Sequence, residues 1–142
     1  MWYSGEAAPI HRIELPPVRH DTAAARERVL VLLASRNGAR WLRQQLASIL
    51  TQEGVEVRVA VRDDGSTDTT LRELAAFTAG QRVRLSPLSA PAGSAAQNFL
   101  ALIAEHPADE FDYVAFSDQD DIWRSDKLAR ACRMLSTEGS AG

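Results

Sequence analysis

Residues 29–35, Val-Leu-Val-Leu-Leu-Ala-Ser, form a strand-length run with no polar side chain before Ser35. A strand with one wet face alternates polar and apolar residues, whereas a run that is apolar at every position must be covered on both faces. Such strands belong to parallel sheets flanked by helices, which restricts the chain to α/β architectures. The following segments fit that restriction. ARWLRQQLASILTQ (39–52) places Trp41, Leu42, Leu46, Ile49 and Leu50 at helical spacing. VEVRVAVRDD (55–64) alternates Val55, Val57, Val59 and Val61, which predicts a strand with one stronger apolar face. STDTTLRELAAFTA (66–79) opens on capping residues, with Ser66 or Thr67 as N-cap, and sets Leu71, Leu74 and Phe77 on one stripe. RVRLSPL (82–88) predicts a short strand and GSAAQNFLALIAEH (93–106) a helix stopped by Pro107. FDYVAFSD (111–118) predicts a fourth strand, and SDKLARACRML (125–135) a last helix capped by Ser125. Strand followed by helix, four times, predicts a mostly parallel sheet with flanking helices and right-handed crossovers.

The 142 residues suffice for one modest domain. Residues 1–27, broken by Pro9, Pro16 and Pro17, are expected to form a poorly ordered extension in which His11 and His20 are simply solvated. The domain is expected over 28–136, with 137–142 as a tail. A net charge of −3 without a run of basic residues argues against binding nucleic acid through its phosphates. The single cysteine, Cys132, cannot form an internal disulfide and is expected to be a small packed side chain. The first residues contain no apolar stretch of signal-peptide length, and VLVLLA is far too short to span a bilayer. A cytoplasmic location is expected, with peripheral attachment to the inner face of a membrane still open.

In open parallel sheets, ligands bind beyond the carboxyl ends of the strands. Three polar clusters obey that rule: SRNG (35–38), RDDGSTD (62–68) and SDQDD (117–121). Asn-Gly and Asp-Gly are ordinary turn dipeptides, so one aspartate of RDDG already suffices for the turn. SDQDD is harder to explain by structure alone. Asp118, Asp120 and Asp121 repel one another unless solvated or bound to a cation, and carboxylates suit Mg²⁺, Mn²⁺ or Ca²⁺. The glycine and distal glutamate of an EF-hand loop are missing. So sparse a carboxylate set suits a metal shared with a substrate's phosphates. Both the G-x-G-x-x-G fingerprint and the G-x-x-x-x-G-K-[ST] loop are absent. An aspartyl-phosphate enzyme would carry its nucleophile after the first strand, where this chain has SRNG.

Together, VLLASRNGARWLRQQLASILTQ, RDDGSTDTT, NFLALI and FSDQDDIW resemble glycosyltransferase family 2, whose fold is GT-A, over residues 29–135. SDQDDIW is most similar to the rhamnosyltransferase-like subgroup. The resemblance implies a Rossmann-like nucleotide-sugar-binding half-domain that uses Mg²⁺ or Mn²⁺ and a UDP- or dTDP-sugar, with inverting transfer to a saccharide or lipid-linked acceptor. Asp64 would accept a hydrogen bond from the pyrimidine, and Ala34, Ser35 and Arg36 would line the base. Asp118 and Asp120 match D-x-D: Asp120 would be the direct metal ligand, and Asp118 would contact the ribose or the metal's water. Asp121 would stand behind them, and Asn98 would reach the nucleotide side. The chain departs from the family pattern at Arg36, where many members carry an aromatic residue. Family members also continue past the D-x-D strand into a segment with the acceptor site and catalytic base. Here no base is assigned, although Asp126 and Glu138 are available. An uncovered sheet surface would promote self-association or binding of a partner chain. The alternative is a non-catalytic remnant that needs a partner chain; phosphoryl transfer at an acidic α/β site ranks well below both.

Overall fold

The computed structural model describes residues 26–86, 93–106, 109–118 and 120–139. The order is β1 (Glu27–Ser35), α1 (Ala39–Leu50), β2 (Val55–Asp63), α2 (Thr70–Thr78), β3 (Val83–Leu85), α3 (Ala95–Glu105), β4 (Tyr113–Asp118) and α4 (Lys127–Gly139). Expectations for residues 1–25 of the proline-broken extension, with His11 and His20, fall outside the described residues; Glu27, expected to close the extension, opens β1, and α4 runs on to Gly139 into the expected tail.

The sheet order is β3-β2-β1-β4 and every pairing is parallel. From β1 the chain steps outward to β2 and β3, then returns to place β4 on the other side of β1. Crossovers of one hand that travel in opposite directions put their helices on opposite faces. The core divides in that way. On one face Val29, Val31, Leu33, Val57, Val59 and Val61 pack with Leu42, Leu46 and Ile49 of α1, Leu74 of α2 and Leu128 and Cys132 of α4. On the other, Leu30, Leu32 and Ala60 pack with Leu102, Phe99 and Phe111. The all-apolar run of β1 is therefore covered on both sides, as its composition requires.

Two helical stripes differ from expectation. Trp41 is 39% exposed, with the Arg40 guanidinium 4.6 Å from its ring centroid, and Leu71 is 47% exposed. α1 is anchored by Leu42 and Leu46, and α2 by Leu74 and Phe77. β2 hides two cations on the α3 face: Arg58 pairs with Glu56 at 2.8 Å and Arg62 with Glu105 at 2.6 Å. α3 begins at Ser94, whose hydroxyl accepts from the Gln97 N–H at 3.2 Å, and ends at His106 in extended backbone. Extended backbone is what a following proline imposes.

Candidate functional site

The loops after β1 and β2 are built as one unit. Asn37 takes the left-handed conformation (φ 49°), which an Asx residue tolerates best after glycine. Its side-chain oxygen accepts from the backbone N–H groups of Thr67 (2.8 Å) and Asp68 (3.3 Å). Its own N–H donates to the Ser66 hydroxyl at 2.8 Å. The first N–H groups of the α1 turn are capped from the other loop: Gly38 donates to the Thr70 hydroxyl (3.0 Å) and Ala39 to the Asp68 carboxylate (3.3 Å). The Thr70 hydroxyl, followed by backbone N–H donors, holds the Asp68 carboxyl below the usual carboxylate range. This corrects the expected caps. α2 starts at Thr70 rather than beside Ser66 or Thr67, and Ser66 serves the turn instead.

The adjacent aspartates of RDDG have different tasks. Asp63, 3% exposed, accepts from the Ser66 N–H (2.8 Å) and hydroxyl (2.5 Å), which ties off the turn at Gly65 (φ 79°). Asp64 projects toward other elements. Its N–H donates to the Ser35 carbonyl at 2.8 Å. One carboxylate oxygen accepts from the Gly93 N–H at 3.3 Å and lies 3.9 Å from the Arg36 guanidinium, which is 62% exposed. The ends of β1, β2 and the approach to α3 thus converge on Asp64.

The acidic segment follows β4. Asp118 pairs in register with Ala34, so the carboxyl ends of β1 and β4 lie side by side at the point where strand order reverses. The three aspartates are not equivalent. Asp121 accepts from the Trp123 indole (2.8 Å) and the Lys127 ammonium (3.2 Å), and that ammonium sits 4.3 Å over the Trp123 ring. Asp118 and Asp120 are exposed, and among the described residues their carboxylates have neither a hydrogen-bond donor nor a cation. Among the described residues no three His, Cys, Asp or Glu groups form a metal cluster. The donor set therefore suits a hard divalent cation only if the cation takes most of its oxygens from a ligand and water.

The remaining expected residues are dispersed by strand parity. Ala34 shares the α3 face with Asp118, whereas Ser35 is 1% exposed on the opposite face and offers the loop its carbonyl. Arg36 is exposed beside Asp64. Asn98 is 2% exposed and donates to the Arg62 carbonyl at 3.2 Å, holding α3 against the end of β2. Asp126 lies near Arg124 (3.5 Å) and Arg130 (3.9 Å), and Glu138 is exposed on α4.

Sequence reasoning missed a polar row formed by Gln45 and Ser48 on α1 and Gln52 just past its C-cap. Gln45 donates to the Ser117 hydroxyl at 2.8 Å, and the Ser48 hydroxyl accepts from the Trp123 N–H at 3.0 Å. Gln52 donates to the Arg124 carbonyl at 2.6 Å and accepts from the Leu128 N–H at 2.9 Å. The signal was present as polar residues at i and i+3 on a helix read only for its apolar stripe, with a third just past its end.

Strand order, parallel register and the site at the β1–β4 junction define a domain of the GT-A glycosyltransferase type. The chain belongs to glycosyl transferase family 2, whose model matches residues 30–142. It is 38% identical over 105 residues to the dTDP-rhamnosyl transferase RfbG of Shigella flexneri, covering 72% of this chain and 36% of that protein. It is 34% identical over 95 residues to the succinoglycan biosynthesis protein ExoW of Rhizobium meliloti, covering 67% and 30%. The chain thus spans about a third of the length of the curated relatives it matches. Among solved structures it resembles the mannosyltransferase PcManGT of Pyrobaculum calidifontis in complex with GDP-Man and Mn²⁺, with 27% identity, a TM-score of 0.64 and coverage of 78% and 33%. S. aureus TarS in complex with UDP shares the fold at 23% identity and a TM-score of 0.61, with coverage of 78% and 32%.

Proposed function

We propose that residues 28–136 form the donor-binding part of a glycosyltransferase that takes a UDP- or dTDP-sugar with Mg²⁺ or Mn²⁺ and passes the sugar to a saccharide or lipid-linked acceptor with inversion. The observation that carries this reading is the contrast within SDQDD. Asp121 is neutralised by Lys127, while Asp118 and Asp120, at the reversal of strand order, meet no cation among the described residues. The dTDP-sugar specificity named for a 38%-identical relative supports a pyrimidine donor.

In this reading Asp64, already fixed by the Gly93 N–H, accepts from the base, and the Arg36 guanidinium stacks on its plane. Ala34 and Ser35 line the base, Ser35 through its backbone, and Asn98 keeps the α3 side of the pocket in place. Asp120 holds the cation directly, and Asp118 holds its water or the ribose. Such a cation neutralises charge developing on a departing diphosphate. The acceptor base is not assigned to any described residue.

The outer face of β4 and α3 leaves Phe116 52%, Leu100 64% and Ile103 46% exposed, and this surface is the one through which self-association or a partner chain would act. No helix among the described residues is long and apolar enough to cross a membrane. Calorimetric titration of UDP and dTDP with Mn²⁺ or EDTA, beside Asp120→Ala, tests the proposal. Binding that needs the cation and is lost in Asp120→Ala supports it; a folded chain that binds neither nucleotide refutes it.

A further inference from the structure

We propose that Gln45 and Ser48 on α1, with Gln52 just past its C-cap, are a positioning element for the acidic loop, setting the affinity with which Asp118 and Asp120 hold a divalent cation. The inference rests on the functional reading above. The three residues touch no candidate ligand position; they act on the backbone that carries the carboxylates.

The loop is gripped on both sides of Asp120. On the N-terminal side the Ser117 hydroxyl, which receives the Gln45 amide at 2.8 Å, lies 3.3 Å from the Asp118 carbonyl. On the C-terminal side Ser48 accepts from the Trp123 N–H at 3.0 Å while donating to the Gln45 carbonyl at 2.7 Å, so its hydroxyl orientation is fixed. One turn on, Gln52 binds the Arg124 carbonyl at 2.6 Å, the Leu128 N–H at 2.9 Å and the Ser48 carbonyl at 3.2 Å. Next to it the Glu53 N–H donates to the Ser125 carbonyl at 2.9 Å. Gln45 and Gln52 are 0% and 7% exposed, so water does not readily replace them. Spacing of three residues puts Gln45 and Ser48 on one side of α1, and Gln52 follows just past the C-cap Thr51, its amide bonded back to the Ser48 carbonyl.

The physical consequence is preorganisation. Asp118 and Asp120 lie in a span clamped at Ser117 and at Trp123–Arg124, leaving few backbone torsions to order when a cation binds. Releasing the Trp123 clamp returns that ordering cost to the binding step. One lost hydrogen bond to the loop corresponds to about a fivefold weakening. Binding of the base, which runs through Asp64 and the β1–β2 loops, does not depend on this grip.

The test uses the full chain with Ser48→Ala, Ser48→Thr and Gln52→Ala. Mn²⁺ binding in the presence of UDP is followed by electron paramagnetic resonance, metal-free UMP binding by calorimetry, and amide hydrogen exchange over residues 118–127 by mass spectrometry. The expected result is about fivefold weaker Mn²⁺ binding in Ser48→Ala, a larger loss in Gln52→Ala, unchanged UMP binding, and faster exchange in the loop. Ser48→Thr, which keeps the hydroxyl, should recover wild-type Mn²⁺ affinity. Wild-type Mn²⁺ affinity or wild-type loop exchange in Ser48→Ala overturns the positioning role. Equal weakening of UMP and Mn²⁺ binding also overturns it, since that is general structural damage. A wild-type chain that binds no Mn²⁺ with UDP overturns the functional reading instead, and the cation half of this inference with it.

Discussion

Two neighbouring aspartates with the same side-chain chemistry should respond in opposite ways to the same substitution. The Asp63 carboxylate is buried and accepts two hydrogen bonds from Ser66, at 2.8 and 2.5 Å. Bonds to an ionised acceptor each contribute about 1.5–3 kcal/mol, but they are not additive, and Ser66 is exposed enough for water to satisfy it partly. Asp63→Ala should therefore cost about 2–3 kcal/mol. Asp64 has a longer bond from Gly93 (3.3 Å) and a 3.9 Å ion pair with an arginine that is 62% exposed. Asp64 is itself 4% exposed, but screening at the exposed guanidinium and the long Gly93 bond leave it less strongly held than Asp63, so Asp64→Ala should cost about 1 kcal/mol. Urea unfolding by circular dichroism measures both; with a slope of about 2 kcal/mol/M, Asp63→Ala should lower the midpoint by about 1–1.5 M. Nucleotide binding should follow the reverse order. Asp64→Ala should lose UDP affinity by tenfold or more, the equivalent of a lost bond to a charged group, at nearly wild-type stability. An Asp64→Ala variant less stable than Asp63→Ala, or one that still binds UDP normally, refutes the division of labour.

Other expectations concern the frame. The Arg28 N–H, 2.7 Å away, holds the Asp112 carboxyl below its ordinary 3.8, so its contribution is fully present above that value and fades as pH falls through the lower folded value. Asp112→Asn should accordingly flatten the acid limb of the stability profile, measured as the urea midpoint between about pH 5 and pH 2. Burial pushes the Cys132 thiol up, so Ellman's reagent at mildly alkaline pH should label the unfolded chain quickly and the native chain slowly. Leu46→Ala, at a fully buried α1 position, should cost about 2–5 kcal/mol by urea unfolding. Phe116→Ser should reduce concentration-dependent association seen by light scattering, with little loss of stability, because half of that ring is already exposed.

Element types were legible because each rests on a short-range period. The unbroken apolar run of β1 demanded cover on both faces, the alternation in β2 announced its stronger face, and polar clusters could only follow strands. The family resemblance carried the site residues as far as their positions in the chain. Stripe membership was less legible. Trp41 and Leu71 match the helical period, but at the edge of each stripe only the neighbouring elements decide which side chain is covered. The N-cap of α2 was misread for a related reason: Ser66 had a better partner in Asp63 than in a helix that starts four residues later.

The sequence by itself determined that a parallel α/β sheet would form and that acidic and glycine-bearing loops would gather at its carboxyl edge, since backbone periodicity and burial are local properties. Only the tertiary structure decided the order β3-β2-β1-β4 and the separate fates of chemically identical carboxylates. Asp63 meets Ser66, Asp64 meets Gly93, Asp121 meets Lys127, and Asp118 and Asp120 meet no cation among the described residues. The grip of Gln52 on Arg124 spans 72 residues, and that of Asn37 on Thr67 spans 30. A charge is settled by whatever donor or cation folding brings within 3–4 Å, and that partner is chosen by packing rather than by proximity along the chain.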